Sequence, residues 1–429
     1  SKRSRSTVAG ISILLILAAL AGVGVHEWRT LHPTVKPFVV VAGLKNDSGD
    51  PAYDWLATDL SETLTADLGA STDIQTVPPD ELARVRTELS IPPTQNLESQ
   101  NLAEVRQVLG ANYVVFGSYS INSQSLEKTL TLDLHLEDSS GKTLGSFQRS
   151  GNETEYGKLV TEVAAEVLSK LGKARLPETE ASQLQNLYPS NREARKLYFE
   201  AVDKLRSMDA PGALDSLKKA AQQEPGNVAI HSTLADTWSQ LKHDPEAADE
   251  AKKAAELAGK TPLPFEYIVL ARARSEEMTR DWASAGKDYG LLFPHYQQLS
   301  YGLQLANAQL EGSQPKAALD TLNQLSGLRP PMNADPRIEI TKAKVYGAMN
   351  DFSGELRSAQ MALSEAQKRG ARLMQANAEL ELCWAHRNLG HVDDAFAACN
   401  QAETLFSASG DTVNAVSYTH LTLPTILRV

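Results

Sequence analysis

Three pairs of alanines recur at one spacing: Ala201 and Ala235, Ala213 and Ala247, and Ala220 and Ala254 each stand 34 residues apart. A period of that length accommodates one helical hairpin, and a small side chain kept at the same place in each copy marks where the two helices touch. A larger residue there would wedge them apart. Pro225 falls after the first pair, where it stops a helix. Less regular copies follow through Ala273 and Ala285, then Ala306, Ala318 and Pro330, then Ala343 and Ala362, then Ala395 and Ala402, which gives about six hairpins over residues 191–415. Stacked neighbours form an elongated, curved array, with the first helices of successive pairs lining the concave side. Aligning the copies puts Val202, Asp236, Arg274, Asn307, Lys344 and Trp384 at one equivalent position on that side, with Arg387 close behind Trp384. Asp236, Arg274, Asn307, Lys344, Trp384 and Arg387 are therefore the candidate partner-binding residues. Aromatics make up only 6% of the chain, so close packing has to come from small side chains.

Residues 37–172 follow different periods. Phe38-Val-Val-Val-Ala-Gly-Leu44 is an apolar, β-branched run of the kind a strand buried on both faces needs, and Asn46 to Pro51 follows as a turn cluster. Trp55, Leu56, Leu60, Leu64 and Leu68 recur at helical spacing and close a βα unit. A short strand at 74–77, a helix carrying Leu82, Val85 and Leu89, a helix over 102–109 and a second buried strand at 113–116 come next. Leu130, Leu132, Leu134 and Leu136 alternate with polar residues, which predicts a half-buried strand hairpinned through Asp138-Ser-Ser-Gly141 to a partner at 143–147. A last helix, with Leu159, Val160, Val163, Val167 and Leu171, ends at Gly172. The expected fold is an α+β domain of three layers around a mixed sheet, then a polar connector at 173–190, then an all-α solenoid.

At the amino-terminal end, Val8 to Val25 carries no charge, and as a helix it would span about 27 Å, close to the hydrocarbon thickness of a bilayer. Lys2, Arg3 and Arg5 precede it and Trp28 follows. The positive-inside rule then predicts a membrane-anchored, single-pass protein of the bacterial inner membrane, with residues 1–7 cytoplasmic and the bulk extracytoplasmic (periplasmic). A cleaved signal peptide is the alternative. Ser1 in place of a methionine points to a longer gene product with an upstream cytoplasmic part. The string beginning Val416-Ser-Tyr-Thr-His-Leu-Thr-Leu-Pro-Thr looks like a translated sequencing adapter, and 416–429 is set aside from fold reasoning.

The strand Phe38 to Leu44 with Lys45-Asn-Asp-Ser-Gly-Asp50, Trp55-Leu56 and Leu109-Gly-Ala-Asn-Tyr-Val-Val-Phe-Gly-Ser118 resembles the TolB-like amino-terminal domain of bacterial proteins. Members of that family usually carry a bulky residue where this chain has Gly43. Residues 191–415 resemble a tetratricopeptide repeat array in sequence as well as in period. The order of span, TolB-like domain and repeats, with Pro189 to Tyr198 at the junction, is similar to the extracytoplasmic half of certain membrane-anchored serine/threonine kinases, and to a second group with a winged-helix regulator in the kinase's place. The resemblance implies the tail of a membrane-bound signalling protein.

Catalytic patterns are missing from the sequence: it has no phosphate-binding Gly-rich loop, no kinase signature and no nucleophile elbow. The histidines fall singly, without the paired spacing of a zinc site, and Asp47, Asp50 and Asp54 lack the Gly and terminal Glu of a calcium loop. No enzyme activity, cofactor or metal is expected. A net charge of -11 disfavours nucleic acid as a partner. The expected function is a non-catalytic sensory and scaffold region that binds a protein or peptide partner in the repeat groove. Its rivals are small-ligand binding by the α+β domain near Asn46 to Asp54, a membrane-anchored transcriptional regulator tail and a secreted envelope-assembly protein. Cys383 and Cys399, the two cysteines, fall on the two helices of the sixth hairpin at positions that face each other. In an oxidising compartment they are a candidate disulfide, with a pair of buried thiols as the alternative.

Overall fold

The computed structural model describes residues 36–89, 91, 99–122, 128–174 and 177–408. The chain divides into two compact units, 1–37 and 38–429, and the elements described all belong to the second. The apolar run Val8 to Val25, the stub 1–7 and the tail 416–429 lie outside the described residues. Among the described residues no helix is long and apolar enough to cross a membrane.

Strands β1 (Phe38–Asn46), β2 (Gln75–Thr76), β3 (Tyr113–Asn122), β4 (Thr129–Asp138) and β5 (Thr143–Asn152) make one sheet of order β2-β1-β3-β4-β5. β1 is parallel to both its neighbours, and the pairs beyond β3 are antiparallel. Of the helices α1 (Trp55–Gly69), α2 (Pro79–Glu88), α3 (Ser99–Leu109) and α4 (Tyr156–Lys170), the first and last cover one face and the middle two the other. Alternation along β1 decides which side chain goes where: Val39 and Val41 meet Leu60, Leu64 and Val163, while Phe38, Val40 and Ala42 meet Val85, Leu102 and Val105. A bulge between Val41 and Leu44 resets that alternation and returns Leu44 to the side of Val41. Gly43 makes the bulge with φ +109°, a conformation that side chains rarely adopt. A glycine meets that backbone requirement without strain.

Several elements differ from the sequence expectation; β5, for one, continues beyond 147 to Asn152 along its ladder with β4. β3 runs on past its apolar run at 113–116 as far as Asn122, because all of its residues pair with β4 and the ladder holds the polar half in place. The connector contains a short helix, α5 (Glu178–Leu184), whose Leu184 joins Leu187 in packing against Val228 and Leu263.

The rest is helical hairpins: α6 (Arg192–Arg206) with α7 (Ala210–Gln223), α8 (Val228–Gln240) with α9 (Asp244–Ala258), and α10 (Phe265–Met278) with α11 (Trp282–Tyr296). They continue as α12 (Leu299–Glu311) with α13 (Pro315–Leu325), α14 (Pro336–Ala348) with α15 (Phe352–Lys368), and α16 (Arg372–Asn388) with α17 (Val392–Ala408). These are the units of a tetratricopeptide-type array, and the alanines that set its period, Ala201, Ala213, Ala220, Ala235, Ala247 and Ala254, are at most 2% exposed. Each first helix is followed by a residue with positive φ, namely Met208, Lys242, Arg280, Ser313, Asn350 and Gly390. This left-handed residue turns the chain back for the second helix.

Among the described residues the array meets the α+β layers near α6, again around Arg329 and Arg337, and between these where Gln75 of β2 donates to the Tyr296 carbonyl at 2.6 Å. Next to the connector, α6 packs on α1 and places Tyr198 and Phe199 in one core with Leu56 and Leu60. Arg195 there grips the wholly buried Asp59 through two nitrogens and donates to Thr63 at 3.0 Å, and Tyr156 donates to the same carboxylate. Much further along, the Arg329 guanidinium lies 3.4 Å from the centre of the Phe38 ring and donates to Asn112 at 3.0 Å. Arg337 pairs with Glu81, and Arg84 stands 3.5 Å from Asp335. Helix α2 is thereby held between α6, where Arg206 reaches Asp80 at 3.0 Å, and the start of α14.

Candidate partner-binding surface

The residues singled out on the first helices fall into two groups. In the first, Asp236 of α8 pairs with Arg274 of α10, which also reaches Glu277 at 3.1 Å, and Tyr289 donates to Glu277 at 2.7 Å. Burial raises the Asp236 carboxyl against the opposing pull of Arg274, and the same carboxylate raises the guanidinium in turn. Asn307 of α12 joins Arg274, Glu277, Gln304 and Glu311 around a cleft of about 500 Å³. Val202, at the equivalent place on α6, is buried.

The second group lies on α14 and α16. Lys344 is exposed, with its ammonium 4.0 Å from Glu381. Trp384 packs against the cluster of Leu380, Ala402 and Phe406, and Arg387 lies over its ring at 5.0 Å, so both serve the last hairpin's own packing. Glu381 was not anticipated from sequence. It is 6% exposed, and burial lifts its carboxyl to about 7 despite Lys344. An acid at a first-helix position reads as solvated surface until the neighbouring hairpin is placed against it.

Part of the array faces α2. A cleft of about 530 Å³ runs between Asp80, Ala83 and Thr87 of α2, Val202 of α6, Asp236 of α8 and Leu373 of α16, so hairpins from both ends of the array face α2. The joint of α2 to α14 turns on Asp335, which is 3% exposed. Burial opposes ionisation there, but Arg337 and Arg84 outweigh it and hold this carboxyl down at about 2.

A third cleft, of about 450 Å³, opens at the carboxyl end of β1 among Gly43, Asn46, Thr58, Arg86, Asp203 and Arg206. Open α/β sheets bind ligands at such strand ends. The turn that follows is closed on itself: Asn46 donates to Asp54 at 2.7 Å, and Asp50 accepts from the Ala52 amide at 2.9 Å. Cys383 and Cys399 are joined across the last hairpin, with their α-carbons 5.2 Å apart. Among the described residues, the side chains gathered closely enough to hold a metal ion are His386, His391 and Asp394.

The family model of the curli production assembly/transport component CsgG matches residues 26–124, a stretch that covers β1 to β3 with α1 to α3 between them. The matching model is of a different family from the TolB-like domain that this segment is expected to resemble. It also corrects the expectation of a single-pass inner-membrane protein: the match points to a secreted or outer-membrane component. No curated protein matches the chain. Solved structures similar to it include a thermophilic tetratricopeptide protein of Thermus thermophilus, at 17% identity and TM-score 0.35 over 43% of this chain and 98% of that one. PilW, a type IV pilus biogenesis factor, aligns at 17% identity and TM-score 0.35 over 52% of this chain and 99% of its own. YrrB, a tetratricopeptide protein with an unusual peptide-binding site, aligns at 13% identity and TM-score 0.28 over 48% and 100%. The assignment of the repeats rests on the helical pairs themselves.

Proposed function

We propose that this chain is a non-catalytic scaffold whose helical array binds an extended segment of a protein partner across α8, α10 and α12, in the service of assembling a component of the cell envelope. The observation that carries this reading is the cleft of about 500 Å³ where Arg274, Asn307, Gln304 and Glu311 meet. Its lining offers amide, guanidinium and carboxylate groups on successive first helices. Such a row suits the backbone and mixed side chains of a peptide better than it suits a compact apolar ligand. The division into an α+β domain at 37–172, a linker at 173–190 and repeats at 191–415 belongs to the proposal, with the first domain holding the curve of the second. The CsgG match supports the setting of envelope assembly, the rival among the sequence expectations, over the tail of a kinase or of a winged-helix regulator.

The test is site-specific photo-crosslinking. A benzophenone amino acid at Asn307 should yield a discrete adduct in envelope extracts, and one at exposed Lys252 on α9 should not. Arg274→Ala should abolish the adduct while leaving helicity intact. Equal yields from both positions, or none from either, would move binding away from this surface.

A further inference from the structure

The last hairpin gathers three side chains that the proposed function leaves unused. His386 lies in the final turn of α16, His391 immediately before α17, and Asp394 in the first turn of α17. The Nδ1 atoms of the two imidazoles are 3.4 Å apart, with ring centres at 5.7 Å, and Asp394 Oδ2 stands 3.9 Å from His386 Nδ1.

That first distance is informative. Two nitrogens bound to one zinc ion at about 2.05 Å with a tetrahedral angle lie about 3.4 Å from each other. For a hydrogen bond between two rings the same distance is long. The carboxylate oxygen is about half an ångström farther out than a third tetrahedral ligand would be. Its side chain is 67% exposed, so a rotamer adjustment can close the gap.

The frame beneath is fixed. Gly390, with φ +79°, turns the chain back, and the His391 amide donates to the His386 carbonyl at 2.9 Å. The joined Cys383 and Cys399 tie the same two helices together. The carboxyl end of α16 also favours a cation, because its last carbonyls carry the negative end of the helix dipole.

We propose that His386, His391 and Asp394 form a binding site for a borderline divalent transition-metal ion of the zinc class, with two imidazole nitrogens and one carboxylate oxygen as ligands. One tetrahedral position is left to water or to a side chain from another molecule. Imidazole with carboxylate suits zinc, copper or nickel and disfavours magnesium and calcium. Sequence reading passed over the pair because four residues separate the histidines across a turn, a spacing that belongs to no helical metal motif.

The experiment is calorimetric titration of the full chain with Zn²⁺ alone in a non-chelating buffer, with the visible absorption of bound Co²⁺ as a second readout. One equivalent should bind, and Co²⁺ should give the intense bands of tetrahedral coordination. His391→Ala should weaken binding about tenfold or more, and Asp394→Asn by a smaller factor, with the circular dichroism of both variants unchanged. Binding that persists unaltered in the His386→Ala/His391→Ala double variant, or the absence of binding by the parent chain, would overturn the site.

Discussion

Glu381 allows a prediction whose size follows from the structure. The carboxyl is buried on α16, and its pKa rises from 4.5 to about 7, chiefly through burial, with Lys344 opposing and Glu355 adding to the rise. A pKa raised by folding means that the folded chain holds the proton more tightly than the unfolded one. The stabilisation is complete below about pH 4.5 and is lost as pH climbs to about 7. At about 1.36 kcal/mol per pH unit, the loss over that window comes to about 3 kcal/mol. Glu381→Gln keeps the shape of the protonated acid and cannot ionise. The variant should match the parent chain near pH 4.5 and exceed it by about 3 kcal/mol at pH 8. Repeat arrays open hairpin by hairpin, so the measurement should be amide hydrogen exchange within α16 rather than a global melt. A gain of equal size at both pH values would assign the effect to packing, and a loss at pH 8 would show that Lys344 holds the carboxylate ionised with a net gain in stability.

Asp335 should behave in the opposite sense: its carboxyl is held down at about 2, so it contributes stability above about pH 4 that disappears as pH falls through 2. The deficit of Asp335→Asn, about 2 kcal/mol at neutral pH, should therefore shrink towards zero in acid urea titrations. Ala247→Leu places bulk where α8 and α9 cross, at a residue 1% exposed, and should cost about 1–3 kcal/mol in urea denaturation. The bridge between Cys383 and Cys399, separated by 16 residues, should contribute about 3 kcal/mol on the chain-entropy account. Unfolded, unreduced protein should show no free thiols, with two appearing on reduction, and two at the outset would contradict the bridge.

Periodicity made the layers and the repeats legible, because Leu130 to Leu136 and the alanines at 34-residue spacing each report a burial pattern local to one element. The joints between parts left no such trace. Glu81 and Arg84 stand on one side of α2 as a solvated helix face would, yet their partners Arg337 and Asp335 come from a stretch some 250 residues away. Charge says that a side chain needs a partner without saying which. The six candidate residues on the first helices suffered from the same limit. Alignment placed five of them at one register position, with Arg387 a turn further on, but Trp384 packs against the last hairpin while Asp236 and Arg274 satisfy each other. The left-handed turn after each first helix was equally hidden, since only Gly390 among those six residues is a glycine.

Arg329 and Arg337 have to come back to Phe38 and Glu81, and this makes the array a counted object. In an open solenoid a unit can be duplicated or deleted for the cost of one interface, since nothing beyond the neighbours feels the change. Here the stretch from α6 to α14 is a loop pinned at both ends to the same hub, and each unit rotates and advances the chain by a set amount. An extra hairpin between the pins would carry Arg337 past α2 and strand Asp335 and Phe38 together. Length can vary only downstream of α14, and the curvature of the stretch before it is fixed by arithmetic as much as by packing.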